Sequence, residues 1–581
     1  LPKPLQLPPL PGLSKEDPYI IREEHKCILC GRCLQVCSQV AGAFVYSLVN
    51  KGLSTRVAPV QAGEETTLEQ AGCIHCGQCV DLCPVGALTE RTRPGSGREW
   101  EFNSAIGVCL ECALGCPLER QTRQGRLIRA VSPQEGPLFQ GLCKIGKFPS
   151  EEEGERLLKP LLREKGELRE ANYEETLRAM LVALGRIKQK YGGESLAVLG
   201  DGRCSNEESY LFQKLARIGL GSNHVDLGTT PGWVRAAAAL HGAAGSYPPP
   251  SLMELSRSRE AIFVIGSDPE ESHPLAAMAI RRASRFCGAP VVWIGYEAAK
   301  DKGWADLVLT PGEGGLADLL KGLGAAREGR PWEHIAERCG VPAELIARAA
   351  RRYNSRGYTL VTPTFYKGAG EVTVNALLNL ARVGGQLERG HCNLWLLPPQ
   401  ANARGILESG GSPQYLPGYQ PVKETSAREK IGNLWGSLPP AGDGFYGEQV
   451  FPAISKGKIK GLILIGNWEQ LNAERAGLEF LAIISPVLNR NVWEADLVLP
   501  GQPVFEREGY FTNALGESNI NRSPKRAELM EDWRLAAHLL KGLNPDSPSY
   551  PDLERVREEL RQAGGGSLKG LGADNGARGM E

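Results

Sequence analysis

An α/β architecture headed by a cysteine-rich module is predicted by three observations. Twelve of the sixteen cysteines fall before residue 144, in tight groups. From about residue 155 onward, apolar runs of strand length alternate with amphipathic stretches. The length, 581 residues, predicts several domains at roughly 100–200 residues each. Lys plus Arg and Asp plus Glu both number 67, which leaves no basic excess to attract nucleic acid or an anionic membrane. No apolar run approaches the ~18 residues of a membrane helix. Pro2, Pro4, Pro8 and Pro9 stand where a signal peptide needs an apolar helix, and no twin-arginine signal is present. The expectation is a cytoplasmic protein with no membrane span.

Cysteines grouped at two- and three-residue gaps indicate metal ligation rather than a disulfide framework. The first run is Cys27-x2-Cys30-x2-Cys33-x3-Cys37, and the second is Cys73-x2-Cys76-x2-Cys79-x3-Cys83, followed by Pro84. This is the spacing of bacterial two-cluster ferredoxins, in which the fourth cysteine of each run ligates the other cluster. The first 4Fe-4S cluster is therefore expected on Cys27, Cys30, Cys33 and Cys83, and the second on Cys73, Cys76, Cys79 and Cys37. Gly31 and Gly77 sit inside the loops, where the chain must turn tightly. A pair of zinc knuckles is the competing assignment, but zinc asks for no such cross-over between two full repeats. Residues 1–104 are expected to form this two-cluster module. His25 and His75 flank the loops; with the cysteine sets complete, they are expected to be solvated or to lie behind the ligands.

A third group, Cys109-x2-Cys112-x3-Cys116, is followed after 26 intervening residues by Cys143. Beside two ferredoxin runs it is expected to hold a third 4Fe-4S cluster, in a domain spanning 105–160. The dispersed Cys204, Cys287, Cys339 and Cys392 are expected to be inert thiols.

The body, 161–545, shows strand patterns at Ser195–Gly200, Ala261–Gly266, Val291–Gly295, Leu307–Thr310, Tyr358–Thr362, Gly461–Gly466 and Leu497–Pro500. Helical patterns between them include Glu207–Leu220, Pro274–Phe286 and Val372–Val383. Such alternation predicts largely parallel, doubly wound sheets with helices on both faces. Two strands end in small and polar turns, Gly266-Ser267-Asp268-Pro269 and Gly466-Asn467, where open α/β sheets place nucleotide-like ligands. The Gly- and Pro-rich segment 410–450 reads as a long surface excursion. Residues 546–581 read as a C-terminal tail, Gly-rich beyond about 563.

Taken in order, these features resemble the molybdopterin oxidoreductase superfamily, in particular the α subunit of NAD-linked formate dehydrogenases and the large iron–sulfur subunit of respiratory complex I. The resemblance rests on Asp17-Pro-Tyr-Ile-Ile-Arg22 ahead of the first cysteine run, Ser205-Asn206-Glu207-Glu208 through Gln213–Arg217, and Gly266–Pro269 with His273-Pro274. It continues in Asn379-Leu380-Ala381, Leu416-Pro417-Gly418-Tyr419-Gln420, Ala495–Pro500 and Glu508-Gly509-Tyr510-Phe511-Thr512-Asn513. His273 would then stand at the family's nucleotide-facing turn, or serve only as a helix-entry residue.

The departures bear on function. In active formate dehydrogenases, a Gly-x-Asn-x-Val-Asp motif leads to Arg-x-(Cys or selenocysteine)-His. Here Gly221-Ser-Asn-His-Val-Asp226 leads to Thr230 at the arginine position, Gly232 at the metal-ligand position and Trp233 at the histidine position. Glycine has no side chain to ligate a metal, and tryptophan is a donor only. The lysine between cluster and pterin falls on Ile145, with Lys144 before it. The family's Gly-Met-Gly-Ile-Thr-Gln-His segment becomes Val361-Thr-Pro-Thr-Phe-Tyr-Lys367. The C-terminal barrel domain of active members is expected to be lacking. The resemblance thus implies no catalytic residues, no molybdopterin, and a relay of electrons through three 4Fe-4S clusters. The partners it implies are flavin- and iron–sulfur-containing NAD(P)H-oxidising subunits, with a hydrogenase or ferredoxin at the other end. The alternative is a working molybdenum or tungsten formate dehydrogenase.

Overall fold

The computed structural model describes residues 17–93, 95–124, 126–133, 141–148, 154–245, 251–295, 305–466, 468, 475–522 and 529–564. The expected turn residue Asn467 and the Gly-rich tail beyond 564 lie outside them.

The two cysteine runs fold as a pseudo-repeat. Gly31 (φ 72°) and Gly77 (φ 69°) begin the short helices Arg32–Gln35 and Gln78–Asp81 from left-handed backbone. That conformation costs a glycine nothing. Leu29 (φ 56°) and His75 (φ 51°), each just before the second cysteine of its run, also take positive φ. The same strained turn therefore occurs at the same place in both repeats. Ile20–Arg22 pairs antiparallel with Leu88–Glu90 and closes the module. A three-stranded antiparallel sheet, Asn103–Val108, Pro117–Arg123 and Arg126–Val131, follows and carries the third cysteine group.

The body holds two sheets. In the five-stranded sheet all neighbours are parallel, in the order Leu307–Leu309, Val291–Ile294, Ile262–Ile265, Tyr358–Val361, Leu394–Leu396. The seven-stranded sheet sets Leu497–Pro500, Phe480–Ser485, Gly461–Ile465, Leu196–Gly200 and Val225–Asp226 parallel, with the hairpin Leu161–Glu164/Glu167–Glu170 antiparallel at one edge. Fully buried central strands such as Gly461–Ile465 and Phe480–Ser485 are what parallel sheets covered on both faces require. The expected largely parallel α/β body is present. Among the described residues, no helix is long and apolar enough to cross a membrane.

Two expectations are corrected. Segment 410–450 is no surface excursion: Leu416, Val422, Ile431 and Trp435 are buried in the core of the seven-stranded sheet, and Thr425–Trp435 is a helix. The apolar core also runs past residue 545. Helix Leu553–Gly564 buries Val556, Leu560 and Ala563 there, and its Glu559 accepts hydrogen bonds from Tyr210 and Tyr550 (2.7 and 2.9 Å) and pairs with the buried Lys214.

The cysteine-rich module seats on the body through helix Pro274–Arg282 and its π-helical extension Ala283–Cys287. Arg281, Arg282 and Arg285 donate to the carbonyl oxygens of Ala41, Gln39 and Gly42, respectively. Phe44 of the module stacks on Phe286 of the body, with ring centroids 6.1 Å apart.

Candidate metal centres

All sixteen cysteines are free thiols, and twelve of them line three separate cavities. The first cavity is bounded by Cys27, Cys30, Cys33 and Cys83, together with Tyr46 and Val85. The second is bounded by Cys37, Cys73, Cys76 and Cys79. The structure thus brings the fourth cysteine of each run to the opposite site, as the ferredoxin spacing predicts. The third gathers Cys109, Cys112, Cys116 and Cys143 with Leu114, Ile145 and Leu275. Among the described residues, no group of three or more His, Cys, Asp or Glu converges as ligands of a single ion would. At each site the four cysteines line one shared cavity.

Local hydrogen bonds prepare these sulfurs. The N–H groups of Val45 and His75 donate to Cys37 Sγ (3.3 Å) and Cys73 Sγ (3.4 Å). Tyr46 Oη lies 3.7 Å from Cys79 Sγ. At the third site Cys109 N–H donates to the Cys116 carbonyl (2.8 Å), and Cys143 caps the helix Lys144–Lys147. Burial, with neighbouring thiolates adding to it, pushes the Cys33 thiol up to about 11 and the Cys73, Cys76 and Cys109 thiols up to about 12. To act as thiolates, groups so buried would need compensating positive charge nearby.

The three sites are linked in series. Cys30 is exposed, and Ile28 and Leu29 beside it are 61% and 45% exposed, so the first site reaches the surface. The first and second sites share one apolar core, which includes Cys27, Cys33, Cys37, Cys79 and Cys83. The second and third share another, through Cys76, Cys112 and Cys143 with Leu275 and Met278 of the body. His25 is exposed. His75 pairs through Nε2 with Asp17 Oδ2 at 2.8 Å and packs against Tyr19; it lies behind the second site.

Several positioning residues carried no signal of their own in the sequence. Lys147, fully buried, forms ion pairs with Asp81 and with Glu90 (2.7 Å) and donates to the Ala130 carbonyl (3.0 Å). Its stem covers Gly77 of the second site: a Cβ there would press on Lys147 Cγ and lie 3.2 Å from Cδ and Cε. One side chain therefore joins the second-site loop to the helix that starts at Cys143. Asn513, in the Glu508–Asn513 motif, donates to the Leu114 carbonyl (3.1 Å), and Ala514 N–H donates to that of Ala113 (2.8 Å), fixing the third-site loop. The carboxyl ends of Leu196–Gly200, Gly461–Ile465 and Phe480–Ser485 open on a cleft that reaches Cys109 and Ile145, with Arg120, Arg203 and Arg507 on its walls.

The residues present do not fit the metal of a molybdopterin cofactor. Gly232 and Trp233 lie in helix Pro231–Ala244 and are buried. A Cβ on Gly232 would press on the Tyr366 carbonyl oxygen and lie 3.0 and 3.1 Å from the Tyr366 carbonyl carbon and Cα. Main chain of the departed Val361–Lys367 segment thus occupies the space a ligand side chain would need. Trp233 stacks edge-on against the Tyr366 ring at 5.8 Å, and both belong to the core of the five-stranded sheet. His273 caps helix Pro274–Arg282, and its Nε2 lies 3.0 Å from the Pro398 carbonyl. Burial holds it at about 4, so it stands neutral as a helix-entry residue.

Comparison with known proteins agrees with this construction. Residues 26–87 match the 4Fe-4S dicluster domain and residues 156–327 match the molybdopterin oxidoreductase family. The probable oxidoreductase YjgC of Bacillus subtilis is 27% identical over 96% of this chain and 62% of its own length. A Rhizobium meliloti protein named as a subunit of NADH-quinone oxidoreductase is 27% identical over 96% of this chain and 67% of its own. The chain therefore spans about 62% of the first of these relatives. Acetylene hydratase from Pelobacter acetylenicus shares the fold with a TM-score of 0.56 at 17% identity, covering 79% of this chain and 72% of that one. Within this chain, residues 26–87 are thus similar to the 4Fe-4S dicluster domain and residues 156–327 to the molybdopterin oxidoreductase family.

Proposed function

We propose that this chain is an electron-relay subunit of a multisubunit NAD(P)H-linked oxidoreductase, with no substrate chemistry of its own and no molybdopterin. The observation that carries the reading is the contrast between two places in one fold. Twelve cysteines line three cavities in series, whereas the catalytic-metal position at Gly232 is filled by Tyr366. The proposed ligands are Cys27, Cys30, Cys33 and Cys83 at the first site; Cys73, Cys76, Cys79 and Cys37 at the second; and Cys109, Cys112, Cys116 and Cys143 at the third. Bound 4Fe-4S clusters supply one-electron chemistry. The chain's own residues do the rest. Exposed Cys30 sets the first site at the surface, Lys147 holds the second-site loop against the third, and Asn513 fixes the third-site loop. In domain terms we assign 1–104 to the two-cluster module and 105–160 to the third-site domain. The α/β body then runs from 161 through helix Leu553–Gly564.

The partners we assign are flavin- and iron–sulfur-containing subunits that oxidise NAD(P)H, with a hydrogenase or ferredoxin as the other electron partner. Support comes from the relative named as part of an NADH-quinone oxidoreductase. A reducing, cytoplasmic setting suits sixteen unpaired thiols. One observation favours a second reading, an active formate dehydrogenase: the cleft beside Cys109 at the strand ends keeps room for a large polar ligand.

The test uses the native complex, captured anaerobically through a tag on this chain. NADH or NADPH should bring up the electron paramagnetic resonance signals of reduced clusters. In Cys76→Ser the third-site signal should no longer appear with NAD(P)H, yet should appear with dithionite. Clusters that stay oxidised with NAD(P)H, in a complex that reduces viologen dye with formate, would replace this reading by the second.

A further inference from the structure

We infer that Arg281, a residue of the α/β body, tunes the second cluster of the cysteine-rich module, raising its reduction potential. The inference rests on the 4Fe-4S assignment of that site and goes beyond it by naming the control.

The geometry singles out this arginine. It is almost fully buried, and Nη1 donates to the Ala41 carbonyl at 3.3 Å. Its Cδ and Cγ cover Gly42, where a Cβ would lie 3.3 and 3.4 Å away. Ala41 and Ala43, on either side of that contact, line the second cavity next to Cys37 and Cys76. Cys37 and Cys76, which line the same cavity, come from different cysteine runs, so the wall that Arg281 backs faces ligands from both. Adding an electron to a cluster adds negative charge, and a nearby buried cation favours the reduced form because little solvent screens it. The other ionic groups around the second site are paired within the cysteine-rich part of the chain. Lys147 faces Asp81 and Glu90, and Asp17 faces His75. Arg281 is paired with Glu270, also of the body, so the body supplies both members of the pair and sets how close the cation stands. Arg282 and Arg285 make the same kind of carbonyl contact, to Gln39 and Gly42. They stand over the Phe286 and Phe44 rings, toward the outer side of the interface, and serve docking.

The experiment is an anaerobic redox titration of the full chain, followed by electron paramagnetic resonance. The second site is identified as the signal lost in Cys76→Ser. In Arg281→Gln the ratio of reduced to oxidised second cluster, read at the wild-type midpoint, should fall about tenfold, a downward shift of ~59 mV for one electron. The first and third sites should not move. Arg281→Lys should recover most of the shift. Arg282→Gln and Arg285→Gln, which lose docking bonds but not the adjacent charge, should leave all three potentials in place. An unchanged second-site potential in Arg281→Gln overturns the inference, and so does an equal shift in Arg282→Gln or Arg285→Gln, which would make docking the cause. Absence of a second-site signal from the wild-type protein would overturn the cluster assignment instead.

Discussion

Gly232→Cys, the substitution that restores the ligand type of active relatives, is expected to destabilise the protein and to bind no metal. The new Cβ would press on the Tyr366 carbonyl oxygen and lie within 3.1 Å of two further Tyr366 main-chain atoms. Main chain cannot swing aside as a side-chain tip can, and Tyr366 is locked by burial beside Trp233 and Phe365. Overpacking of this kind costs about 1–3 kcal/mol, and more where backbone must move. Gly242, in the same helix, is the control: a Cβ there meets nothing within 4 Å. Gly242→Cys should leave the unfolding midpoint unchanged or raise it slightly, since glycine is a poor helix former. Denaturant unfolding of both variants, with molybdenum and tungsten analysis, checks the pair of outcomes. A stable Gly232→Cys protein that takes up either metal would show that the pocket is open.

Lys147→Met is expected to cost more. The Lys147 side chain is wholly buried, and Glu90 beside it is nearly so. Burial pushes the Glu90 carboxyl up, but the Lys147 ammonium more than offsets this and holds it below the ordinary glutamate range. Removing one member of a buried ion pair leaves an uncompensated charge and costs about 3–5 kcal/mol. Asp81 loses its partner at the same time. The loss should appear as a lower unfolding midpoint and as looser seating of the second site against the third, with faster proteolysis between Cys83 and Cys109. Adding Asp81→Asn and Glu90→Gln to Lys147→Met should restore much of the stability, because the charges then leave together. If the triple variant is no more stable than the single one, charge pairing is not what holds the two parts together.

The sequence was most informative where chemistry constrains spacing. Two CxxCxxCxxxC runs predict that Cys37 and Cys83 each serve the opposite cluster, and each lines the cavity of the other run. Buried strands such as Leu196–Gly200 and Ile262–Ile265 were legible as apolar runs bounded by small residues. Phe480–Ser485 and the short Leu394–Leu396 were not singled out, although both lie within parallel sheets. Segment 410–450 misled because its glycines and prolines mask a few well-spaced apolar residues, Leu416, Val422, Ile431 and Trp435, which tertiary packing buries. Lys147 and Arg281 were invisible for a different reason. Their roles depend largely on distant partners, Lys147 on Asp81 and Glu90 and Arg281 on the Ala41 carbonyl, and no local pattern marks such contacts. The loss at Gly232 was readable as a missing ligand, but its sealing by Tyr366 main chain required the fold.

The most direct test of the central claim is metal analysis of anaerobically purified full-length protein, from cells supplied with iron, molybdate and tungstate. Three four-iron clusters and no catalytic metal predict about 12 iron atoms per chain, with neither molybdenum nor tungsten in stoichiometric amount. Iron near 8 in a folded protein, or one molybdenum or tungsten per chain, would contradict it.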